Sequence, residues 1–145
     1  MPRIDPASHP RISATGYLPP HDQAVQGRSR VSISAAGGLT AFGANLVTLQ
    51  PGAWSSQRHW HSAEDELVVM LGGSLVLVEE GAETVLAAGD MATFKAGVAN
   101  GHHLQNRSDQ VATFLAIGPD LPDDECHYPD VDMHWNAVRG FSRKE

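Results

Sequence analysis

The sequence predicts an all-β fold, an antiparallel barrel or sandwich built as one domain. Three observations carry this. Between Val31 and Ile117, short runs of Val, Leu, Phe and Thr are cut every roughly eight to twelve residues by Gly, Asn, Asp or Pro. Each run is long enough for a strand and too short for a helix, and no longer segment repeats its apolar residues at a 3.6-residue period. Finally, 145 residues with 41% hydrophobic content suffice for a single core.

Taken in order, residues 1–30 carry Pro2, Pro6, Pro10, Pro19 and Pro20 among Ser, His and Gln, the composition of an extended N-terminal arm that must dock to be ordered. Residues 31–118 form the barrel. Strands are expected at 41–49, 58–61, 66–71, 74–80, 83–87, 91–94, 102–106 and 111–117. Gly72-Gly73 between two apolar runs reads as a hairpin turn, since glycine accepts the positive φ such turns need. Gly81 and Gly89-Asp90 mark further turns. Residues 119–145, acidic and punctuated by proline, read as a C-terminal loop and tail, parts of which pack through Tyr128, Met133, Trp135 and Phe141.

The net charge is −7, and the ten Lys and Arg are too scattered to neutralise a phosphate backbone, which argues against nucleic acid. No run approaches the roughly 18 apolar residues of a membrane helix, and the N-terminal stretch lacks the apolar segment of a signal peptide; a cytoplasmic protein is expected. The single Cys126 reads as a free, inert thiol. Edge strands in need of cover and a proline-rich arm lead to the expectation of a homodimer.

The chemistry concentrates in two segments. In GAWSSQRHWHSAEDELVVMLGG, residues 52–73, His59 and His61 are two apart on an expected strand, so both imidazoles leave the same face. Glu66 opens the next strand and returns a carboxylate to that face. In GDMATFKAGVANGHHLQN, residues 89–106, His102 begins another strand that pairing across the barrel can bring to the same point. Imidazole and carboxylate together suit Fe, Mn, Zn or Ni, and also Cu or Co, better than Ca or Mg. A buried set of this kind is hard to explain as packing, because such groups need partners to offset desolvation.

These segments resemble the two motifs of the cupin superfamily. The first runs G, five residues, HxH, three or four residues, E, six residues, G; here six residues separate Gly52 from His59, and His61, Glu66 and Gly73 follow the pattern. The second runs G, five residues, PxG, two residues, H, three residues, N. Gly89, Gly97, His102 and Asn106 lie on it, with Lys95 in place of the proline and four residues between Gly97 and the histidine. His103 is the rival for the last ligand; the spacing to Asn106 and strand parity favour His102. The wording of EDELVVML, NGHHLQNRSD and YPDVD is similar to small stand-alone bacterial cupins. The resemblance spans roughly residues 40–117 and implies a double-stranded β-helix, or jelly-roll, barrel whose metal ligands are His59, His61, Glu66 and His102.

Around this set, Glu64 and Asp65 read as a solvated rim, and Val68 and Met70 as core beneath Glu66. Trp60, between the two histidines, points out of the pocket, towards packing of sheet on arm or of subunit on subunit. Trp54, Gln57, Arg58, Lys95, Asn100 and Gln105 are candidates for contacting a substrate. His9, His21, His127 and His134 read as ordinary arm and tail histidines. No GxSxG, phosphate-cradling glycine loop or CxxC occurs. The expected function is a metal-dependent enzyme of dioxygenase, sugar or sugar-phosphate isomerase, or lyase type, acting on a small oxygen-rich molecule. A non-catalytic ligand-binding or sensor module is the rival.

Overall fold

A computed structural model describes residues 2–145 and gives an all-β chain of twelve strands with one short α-helix and two 3-10 turns, Pro6–Ser8 and Gln23–Val25. The strands are β1 Arg28–Ser32, β2 Gly43–Leu49, β3 Trp60–His61, β4 Glu66–Gly72, β5 Ser74–Glu79, β6 Ala82–Ala87, β7 Met91–Phe94, β8 His103–Gln105, β9 Ala112–Gly118, β10 Glu125–His127, β11 His134–Asn136 and β12 Gly140–Ser142. Helix α1, Ile33–Ala36, is a single turn whose first free amides are met by the Ser32 hydroxyl, which accepts from Ala35 N. Three antiparallel sheets result, ordered β1-β2-β9-β4-β7, β6-β5-β8 and β12-β11-β10-β3.

One face of each major strand points inward, and along that face the residue type changes from polar to apolar. In β2 the row runs Asn45, Val47, Leu49; in β4, Glu66, Val68, Met70; towards and into β8, His102, Leu104. The apolar ends of these rows meet Leu75, Leu77, Leu86, Ala112 and Phe114 in a dry core. The polar ends gather at the other end of the barrel. Val68 and Met70 are therefore core, as their parity with Glu66 predicts.

The expected hairpin at Gly72-Gly73 does not form. β4 pairs with β7 and β9, and β5 pairs with β6 and β8, so the chain crosses between sheets there. The glycine is still required: Gly73 has φ of +70°, and a Cβ on it would stand 2.7 Å from Val111 O. A true two-residue hairpin lies at Glu80-Gly81, joining β5 to β6.

Two boundaries also differ from expectation. β1 begins at Arg28, inside the stretch read as arm, and the arm docks on it through an Ile12–Arg30 bridge. The tail is not merely loop: β10, β11 and β12 extend from β3 into a small sheet. Its inner face and the arm share a second core of Tyr17, Val25, Cys126, Tyr128 and Met133, with Trp135 and Phe141 packed against it. Trp60 points to the opposite face and stacks on His127, ring centroids 4.3 Å apart, so it packs on the tail rather than on the arm.

Met70, 1% exposed, fills the main core, whereas Val85 is 67% exposed. Met70→Ala is expected to cost about 2–5 kcal/mol and Val85→Ala less than about 0.5 kcal/mol, as measured by urea denaturation.

Candidate metal centre

Ligand atoms of His59, His61 and Glu66 lie within 4.8 Å of one another at the polar end of the barrel. His102 joins them, its Nε2 standing 3.0 Å from a Glu66 carboxylate oxygen, and its ring lies flat on Phe94 at 3.5 Å between centroids. The backbone brings this about directly: His59 and His102 face each other in an antiparallel bridge, and β3 and β4 are joined by the short turn Ser62–Asp65. The longer loop before His102 is tied down where Gly97 N donates to His61 O and Lys95 pairs with Asp65.

Each imidazole is oriented from behind. His59 Nδ1 is 2.9 Å from Gln57 O, His102 Nδ1 is 3.3 Å from Asn100 O, and His61 Nδ1 is 2.7 Å from Asp124 Oδ2. A carbonyl or carboxylate oxygen only accepts, so each Nδ1 carries the hydrogen and a neutral ring turns its Nε2 lone pair inward. A neutral His102 then has no proton to offer Glu66, and two lone pairs face each other 3.0 Å apart. That is the separation of neighbouring ligands around one cation, and the donor set suits a divalent transition metal.

The electrostatics agree. Burial pushes the His59 imidazole down, keeping it neutral despite the opposing pull of Glu66. Burial would raise Glu66, but contact with His102 and the positive charge that the three imidazoles carry when protonated hold the carboxyl below its usual range, and a cation held between neutral rings would act in the same direction. Burial first, then Asp124, Glu64 and Glu66, push the Cys126 thiol up to about 12, so it stays protonated beside His61.

Asp124 touches this cluster and was missed by the sequence reading. It is 1% exposed, and its second oxygen accepts from the amides of Ala63 and Glu64, so the tail reaches back to hold both His61 and the turn after it. Arg28 and Arg30 were also missed. Both project from β1 into a cavity of about 190 Å³ that His59, Glu66 and His102 line from the other side. Arg28 donates to Ser55 O and Arg30 to Asn45 Oδ1. Glu64 is not a solvated rim residue: burial raises its carboxyl above the ordinary value, and it lines the mouth of the site with His61 and Arg30.

The substrate-contact candidates are mostly committed elsewhere. Arg58 forms a two-pronged pair with Asp130 and a further one with Glu80. Gln57 donates to His21 O, Asn100 bonds Glu79 and Glu80 N, and Gln105 accepts from Arg107. His103 is turned to Ser56 O and packs edge-on against Trp54. Asn106 closes the turn before β9, donating to Leu49 O and Gln110 O.

Residues 45–118 match the cupin domain family. A sugar phosphate isomerase of the cupin superfamily from Silicibacter pomeroyi is 41% identical, with a TM-score of 0.92 over 99% of this chain and 92% of its own. The chain belongs to the cupin family. A putative sugar phosphate isomerase from Acidithiobacillus ferrooxidans is 28% identical over 80% of this chain and 76% of its own, with a TM-score of 0.74. A polyketide cyclase from Streptomyces resistomycificus shares the cupin fold at 16% identity, with a TM-score of 0.73 over 90% of this chain and 87% of its own. No curated protein matches the cupin chain in sequence. Among the described residues, no helix is long and apolar enough to cross a membrane.

Asp124→Asn is expected to leave the barrel folded and to weaken divalent-metal affinity roughly 10- to 100-fold, read by competition with a chromogenic chelator; unchanged affinity would sink the orienting role of Asp124.

Proposed function

We propose that this cupin is a metal-dependent isomerase of sugar phosphates. The observation that carries the reading is the pairing, in one cavity, of the histidine–glutamate cluster with two arginines. Guanidinium groups offer planar, permanently charged forks suited to phosphate oxygens. Their place beside the cluster outweighs the acidic balance of the chain as a whole, because the local field acts on the bound ligand. The sugar phosphate isomerases among the structural neighbours support the same substrate class.

His59, His61, Glu66 and His102 would hold one divalent ion, Fe, Mn, Zn or Ni. When bound, it supplies Lewis-acid polarisation of a sugar carbonyl or hydroxyl oxygen. Arg28 and Arg30 hold the phosphate and so fix which carbons face the cluster. Aldose–ketose exchange then needs a proton moved from one carbon to its neighbour and the hydroxyl proton passed to the former carbonyl oxygen. Glu64, with its raised pKa and its position at the mouth, is the proposed proton carrier. The apolar floor of Val68 and Phe114 keeps bulk water from the sugar backbone.

The test uses protein purified without chelator or affinity metal. His59→Ala and Glu66→Ala are each expected to contain one metal equivalent fewer than wild type. In D2O, wild type is expected to interconvert aldose and ketose phosphates with deuterium entering at the exchanging carbon, followed by NMR. Arg30→Ala should raise KM for the phosphorylated sugar at least about tenfold, a loss of roughly 1.4 kcal/mol of binding. Oxygen uptake by an iron-loaded protein with no sugar-phosphate turnover would replace this reading with a dioxygenase. Ligand binding with neither activity would leave a binding module.

A further inference from the structure

The outer face of the small sheet carries a second cluster of metal-binding type. Glu125 and His127 are two apart on β10 and leave the same face, and His134 sits directly opposite His127 on β11. Their ligand atoms lie within 4.8 Å of one another. His127 Nε2 is 3.7 Å from one Glu125 carboxylate oxygen, and His134 Nε2 is 3.8 Å from the other.

These separations are too long for hydrogen bonds. Among the described residues, no other side chain or backbone group bonds to these ring nitrogens or to the Glu125 carboxylate. Ligands bound about 2.0–2.1 Å from one tetrahedral zinc stand roughly 3.4 Å apart, close to the spacing found. Trp60, stacked on the His127 ring, fixes its plane, and the β10–β11 pairing fixes the two histidines relative to each other. The three groups are partly exposed, with side chains 23–45% accessible, so an ion can reach them.

We propose that Glu125, His127 and His134 form a second divalent transition-metal site, distinct from the barrel centre. It takes a metal of the zinc, nickel or copper class, with three protein ligands and a position open to solvent. The one carboxylate and the neighbouring Arg143 and Lys144 make a poor site for Ca2+ or Mg2+, which are held by oxygen and negative charge. Imidazole coordination overrides that weak field for a borderline-soft ion. Bound there, the ion ties β10 to β11, and β10 borders the segment that holds His61.

Native mass spectrometry of the tag-free chain with excess Zn2+ tests this, using His134→Ala and the isosteric Glu125→Gln, with near-ultraviolet circular dichroism to check folding. Each variant is expected to bind one zinc fewer than its parent, both in wild type and in a Glu66→Ala background. The difference therefore reads the second site whether or not the barrel centre holds metal. Zinc should also raise the Tm of Glu66→Ala, and this rise should vanish when Glu125→Gln is added. Equal zinc content in parent and folded variants would overturn the proposal.

Discussion

Placing the Glu66 carboxylate inside a barrel end is the constraint around which the rest of this protein is arranged. A carboxylate leaving water without partners loses several kcal/mol of solvation, and an apolar wall cannot return it. Here three imidazoles surround it, and the charge that would offset it is that of a cation held between them. Each ring is useful only in one tautomer and one orientation, so each in turn requires an acceptor behind it. The carbonyls of Gln57 and Asn100 serve two of them and belong to loops of the barrel itself. The third acceptor, Asp124, is a second buried acid with needs of its own, met by the amides of Ala63 and Glu64. The dependence thus runs from Glu66 through His61 to the tail, and the added sheet is part of the centre's support as much as of the barrel's exterior.

The same requirement explains the polarity gradient along the inward rows. Asn45, Glu66 and His102 sit at one end of strands whose other ends are Leu49, Met70 and Leu104, so one fold supplies a dry core and a wet, charged cup without mixing them.

Much of this was legible in the chain. The apolar runs of β2, β4 and β9 are seven residues each, long enough to be read as strands, and His59, His61 and Glu66 are close enough in sequence for parity to place them together. What escaped reading was non-local or too short. Asp124 reaches His61 only through a pairing of β10 with β3 that no spacing encodes. The three-residue strands of the tail are below the length at which a period can be seen. Arg28 and Arg30 were hidden by the prolines before them, whose composition dominates the window. Gly72-Gly73 carries the same local signal for a hairpin as for a crossing between sheets, and only the partners of β4 and β5 decide.

The position of Asp124 in the chain orders events during synthesis. All three histidines and Glu66 emerge from the ribosome before it, together with every strand of the five-stranded and three-stranded sheets. Without the residues after Gly118, His61 Nδ1 lacks its Asp124 acceptor. Only when the following segment folds back onto β3 is the ring locked. The orientation of His61 therefore depends on a segment outside the barrel, the last 27 residues of the 145.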